Sequence, residues 1–168
     1  VLAAAVLFGT TGTAQALGHD GTTPATVGAA RLAVGGAALV VMAWAAGGSA
    51  RPLVAICRTR WGLVGAAFVA VYQLCFFAGT ARAGVAAGTL VTIGSAPFLT
   101  GLLAWAVDRV APGRAWAGAT AVAVGGLGLL GLGGASGGSG DLSGLWFSLG
   151  SGLGYAAYTV AGKRLIEQ

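Results

Sequence analysis

The sequence predicts an all-α integral membrane protein, a polytopic bundle of about six transmembrane helices. Three observations lead there. Hydrophobic residues fill 57% of the 168 positions and charged residues only 8%, against about a quarter charged in an ordinary soluble chain. Nine basic and four acidic residues could not cover a soluble surface of this size. Those charges also cut the chain into uncharged runs at 1–18, 32–50, 61–81, 83–107, 115–140 and 142–162. Crossing a bilayer core takes roughly 20 mainly apolar residues. The runs are continuous in Ala, Leu, Val and Gly rather than alternating, which argues against barrel strands.

The first span covers 1–17 and carries Gln15 near its end. No basic region precedes it, so it reads as a span and not as a signal peptide. With no initiator Met in front, the expectation is that the chain starts inside a longer protein. The second span, 25–46, follows Pro24 and carries Arg31 one to two turns in. A charge at that depth costs roughly 2.5–3.5 kcal/mol on insertion scales. Arg31 is therefore a candidate to hold an anionic group of a substrate or to gate the outer mouth. The alternative is an arginine that snorkels to the outer headgroups. The third span, 61–80, carries Gln73, which could bond a substrate or a helix neighbour, as could Gln15.

The fourth span, 85–107, holds a proline in the middle of GTLVTIGSAPFLTGLLAW. Pro97 removes a backbone donor and clashes with the preceding turn. In lipid, nearby hydroxyls, cavity water or a packed helix can satisfy the groups it frees. Thr89, Thr92, Ser95 and Thr100 surround it. The pattern suggests a kinked helix with one hydroxyl-bearing, cavity-facing side, with Thr92, Ser95 and Pro97 as site candidates. The alternative is a structural kink whose hydroxyls serve helix contacts alone. The fifth span, 115–133, contains a formal GxGxxG in GGLGLLG. A dinucleotide fingerprint must follow a strand and open a helix, so this one is a decoy. The sixth span is 143–162. Gly84/Gly88 and Gly150/Gly154 fit the GxxxG spacing and indicate tight helix packing in general.

The connections alternate in charge. One set holds Arg51, Arg58, Arg60, Arg109, Arg114, Lys163 and Arg164; the other holds Arg82 alone. That bias places 47–60 and 108–114 in the cytoplasm of a multi-pass cell-membrane protein. The basic residues are scattered between apolar runs, so nucleic acid is excluded as a partner. Asp20, Asp108, Asp141 and Glu167 all lie outside the spans, leaving no buried acid for ion coupling. Asp108 beside Arg109 reads as a solvated pair or, failing that, a gate. His19 is alone, and Cys57 and Cys75 form no metal spacing, so no metal site, cofactor or catalytic set is expected.

The first span, VLFGTTGTAQALG, and the sixth, LGSGLGYAAYTVAGKRL, weakly resemble each other and cross in opposite directions. That is an inverted-repeat arrangement. LFGTTGTA, PATVGAARLAVGGAAL, QLCFFAGTARAGVAAGTLVTIGSAPFLTGLLAWAVDR, WAGATAVAVGGLGLL and GLGYAAYTVAGKRL follow one another in order. This ordered set resembles the EamA-type branch of the drug/metabolite transporter superfamily. The resemblance implies ten helices in two inverted five-helix repeats. Residues 1–133 would be the first repeat, 134–142 an external Gly/Ser-rich linker, and 143–168 the start of the second. It implies a permease moving small metabolites or drugs by alternating access, with Arg31 and Pro97 at family positions. Its partners would be the lipid bilayer and a small-molecule substrate. The competing expectation is a non-transporting scaffold, or a half-size subunit that works as a homodimer.

Overall fold

The computed structural model describes residues 23–48, 50–109, 111–134 and 141–167. All regular structure among them is helical: α1 (Pro24–Ala45), α2 (Ala50–Arg58), α3 (Arg60–Ala83), α4 (Val85–Asp108), α5 (Arg114–Gly134) and α6 (Leu142–Ile166). Five of these match the second to sixth predicted spans within a few residues. The first predicted span, with Gln15, lies outside the described residues, as does 135–140 of the predicted linker.

Local chemistry sets the helix ends. Thr23 caps α1 through its hydroxyl, which accepts from the Thr26 N–H at 3.2 Å, with Pro24 following at the first helical position. Thr59 caps α3 in the same way, accepting from Gly62 N at 3.0 Å. Asp141 caps α6 by accepting from Ser143 N at 2.9 Å. The Ser143 hydroxyl and backbone hold the Asp141 carboxyl below its usual range. Gly84 alone joins α3 to α4, at φ +86°, a conformation that disfavours any side chain.

The sequence reading treats 47–60 as a loop, and the structure places α2 inside it. The segment ARPLVAICR forms this nine-residue helix, with Arg58 in its last turn. It is too short and too polar to register as a span, yet its amphipathic period is helical.

α6 packs most extensively, wedged against the α3–α4 hairpin. It runs antiparallel to α3: Gly144 meets Ala83, Gly154 meets Tyr72 and Ala161 meets Gly65. It runs parallel to α4: Ser148 pairs with Thr92, and Lys163 with Asp108. Small residues and hydroxyls carry these contacts. The Ser151 hydroxyl donates to Tyr72 O across α6–α3 at 3.1 Å, and the Thr92 hydroxyl donates to Ser148 O across α4–α6 at 3.1 Å. Of the GxxxG positions, Gly88 sits against Thr80 and Gly154 against Tyr72.

This packing gathers the starts of α3 and α5 with the ends of α4 and α6. Arg58, Arg60, Arg109, Arg114, Lys163 and Arg164 therefore share one end of the bundle. Arg82 lies at the other, over the Phe147 ring at 4.5 Å.

α1, α3 and α4 are long and apolar enough to cross a membrane. α5 has 21 residues and α6 has 25, with glycine and hydroxyl residues frequent along α6. The GxGxxG of α5 is helical throughout, with no strand before it. Large apolar side chains point outward, among them Val34 at 71% exposure and Val122 at 78%.

Candidate functional site

A cavity of about 830 Å³ opens where α1, α3, α4, α5 and α6 converge. α1 brings Arg31 to its wall and α3 brings Tyr72. α4 contributes Thr92, Ile93, Pro97 and Thr100, α5 contributes Trp116, and α6 contributes Tyr155, Tyr158 and Thr159. Arg31 is half-buried there.

Three of the predicted site residues thus meet at one wall: Arg31, Thr92 and Pro97. Gln73 and Ser95 do not line it. Gln73 is 5% exposed and packed within the bundle, and its Oε1 has no hydrogen-bond partner among the described residues. Ser95 donates to Thr92 O at 3.3 Å and lies against Gly152. Gln15 lies outside the described residues.

α4 runs through Pro97 as a continuous helix. The missing proline N–H leaves the Ile93 carbonyl without its intrahelical donor, and Ile93 lines the cavity. The hydroxyls divide their work. Those of Thr92 and Ser95 are spent on helix carbonyls, while Thr100 lines the cavity.

Sequence reasoning missed the aromatic part. Tyr72, Tyr155 and Tyr158 form a cluster with ring centroids 5.8 Å (72–155), 5.9 Å (72–158) and 5.0 Å (155–158) apart. The signal was present in YAAYT, where tyrosines three apart share a helix face. Tyr72 joins them only through the antiparallel α3–α6 contact.

A second cavity, of about 580 Å³, adjoins the first at the basic end and shares Gly101, Ala104 and Trp116 with it. Trp116 occupies the space that a side chain at Gly101 would take. Below it sits an ion network between α4 and α6. Asp108 accepts from Lys163 Nζ at 2.6 Å and from Arg164, and Glu167 stands 3.7 Å from Lys163 and 3.9 Å from Arg164. The pairing expected between Asp108 and Arg109 is not the one found. Arg109 takes a left-handed conformation at the end of α4, φ 58°, and the partners of Asp108 come from α6. Among the described residues, no group of His, Cys, Asp and Glu is placed to hold a metal.

The chain is 38% identical over 169 residues to a Bacillus subtilis (strain 168) protein named "Uncharacterized transporter YwfM". The match covers 99% of this chain and 55% of that protein, so the chain spans about half the length of the relative it matches. No family model matches the chain. No solved structure matches it significantly.

Proposed function

We propose that this chain is part of a secondary transporter of the EamA type, a polytopic membrane permease moving small metabolites or drugs by alternating access. One observation carries the reading beyond the similarity itself. Five helices converge on a cavity of about 830 Å³, within the roughly 300–1,000 Å³ usual for small-molecule sites. A charge from a candidate membrane span, Arg31, stands at its wall, and so does a mid-helix proline. Both are expensive in lipid unless they face a cavity or packed protein.

In this reading α1, α3, α4, α5 and α6 all cross the bilayer, and the outward apolar side chains meet lipid. The basic end of the bundle faces the cytoplasm, as the loop charges require. The Asp108–Lys163/Arg164 network would close the cavity on that side, and a second, inverted repeat opening with α6 would supply the facing wall. The half-size scaffold finds no specific support in the geometry, since α6 is buried on two sides within the bundle.

The test is transport by the full-length protein in inside-out membrane vesicles loaded from a metabolite mixture, read by mass spectrometry. Wild-type vesicles are expected to change the level of at least one small metabolite. Arg31→Ala and Pro97→Ala are expected to lose that change while inserting at normal levels. Unchanged transport in both variants would sink the assignment of this cavity.

A further inference from the structure

We infer that the cavity is shaped for a small aromatic anion, its ring held among Tyr72, Tyr155 and Tyr158 and its acidic group directed to Arg31. The inference rests on the transport reading of the same cavity and names its substrate class.

Three features point to the ring. The tyrosine centroids lie 5.0–5.9 Å apart, within the range in which aromatic pairs attract. The pairs are not parallel stacks. Tyr72–Tyr155 is edge-to-face at 76° and Tyr155–Tyr158 at 66°, so ring edges and faces are both on offer. All three rings line one cavity, so a planar guest there meets edges and faces together. An aliphatic guest would gain the burial but not the quadrupole contacts.

The sign of the guest follows from the charges. A cluster of aromatic faces alone would also suit an organic cation. Arg31 stands in the same wall, and no carboxylate lines this cavity among the described residues. Asp108 lines the neighbouring cavity and is already engaged by Lys163 and Arg164. A cation would meet the like charge of Arg31 there. A carboxylate would meet a guanidinium, the pairing with the best geometric match. The 830 Å³ volume admits one ring with a short acidic arm and leaves room for water.

The test is equilibrium binding of radiolabelled phenylacetate to the full-length protein in lipid nanodiscs. Cyclohexylacetate, 2-phenylethanol and benzyltrimethylammonium serve as competitors. Phenylacetate is expected to bind. Cyclohexylacetate and 2-phenylethanol are expected to compete at least about tenfold more weakly, and benzyltrimethylammonium not at all. Arg31→Gln should weaken phenylacetate about tenfold or more and erase its advantage over 2-phenylethanol. Arg31→Lys should recover part of that advantage, which a purely structural arginine would not show. Tyr158→Leu should erase the advantage over cyclohexylacetate while leaving the preference for anions.

Equal or better competition by the cation or by the alcohol would overturn the anionic class. Equal competition by cyclohexylacetate would overturn the aromatic one. Absence of phenylacetate binding would overturn the inference altogether. None of these outcomes touches the transport reading, which the vesicle experiment decides by itself.

Discussion

Adding a single methyl group at Gly154 should loosen the whole bundle. A Cβ there would stand 2.9 Å from Tyr72 N, 3.0 Å from Tyr72 Cα and 3.1 Å from Tyr72 Cβ. Carbon atoms prefer about 3.5–4.0 Å. Two of the three nearest atoms are backbone, so no side-chain rotation relieves the clash, and α3 must back away from α6. The displacement stretches the Ser151–Tyr72 hydrogen bond one turn away. Overpacking of this kind costs about 1–3 kcal/mol. Replacing a helical glycine by alanine returns up to about 1 kcal/mol. The net expectation for Gly154→Ala is a loss of up to about 2 kcal/mol, which is a Tm lower by up to roughly 8 °C for a chain of this size. Gly125→Ala is the matched control, because a Cβ at Gly125 meets nothing within 4 Å. It keeps only the propensity gain, about 0.5–1 kcal/mol, and should match or exceed the wild-type Tm. The assay is thermal unfolding of the full-length protein in detergent, followed by loss of monodisperse material. If Gly154→Ala is as stable as Gly125→Ala, the α3–α6 contact does not hold the bundle as described here.

Two other expectations concern the basic end. Asp108→Asn removes the charge that ties α4 to α6, so a Thr159→Cys probe in the cavity wall should react faster with a soluble maleimide from that side. Covalent closure should do the opposite: an Asp108→Cys/Lys163→Cys disulfide should stop transport and reduction should restore it. Unaltered labelling together with unaltered transport would remove the gating role from the ion network. Cys57 is exposed at the end of α2, beside the cluster of arginines. In a Cys75→Ala background, a membrane-impermeant maleimide should label Cys57 in inverted vesicles and not in intact cells. Labelling of intact cells would reverse the orientation.

Much of this architecture was legible in the linear chain because lipid imposes a simple rule. A segment that crosses must be long, apolar and internally hydrogen-bonded, and charges mark where crossing stops. That is why the predicted 25–46, 61–80 and 85–107 correspond to α1, α3 and α4, the helices long and apolar enough to cross, while 115–133 and 143–162 correspond to α5 and α6 as helices. The expense of Arg31 and Pro97 in an apolar run marked them without any structure. α2 escaped because a short amphipathic turn inside a charged loop breaks no such rule.

What the sequence could not supply was partnership, because the contacts that bring the cavity's helices together join residues far apart in the chain. Thr92 looked like a cavity hydroxyl, and its proton goes to Ser148 O, 56 residues away. Ser95 and Gln73 looked equivalent to it, and packing turned both away from the cavity. Asp108 looked paired to its neighbour Arg109, and the antiparallel and parallel docking of α6 delivered Lys163 and Arg164 instead. Tyr72 became part of a cluster only when Gly154 let α6 approach the α3 backbone. Composition and charge order determined the five long helices and their ends. The tertiary structure alone decided which faces meet, because small residues along α6 set how closely and in what register the helices pack.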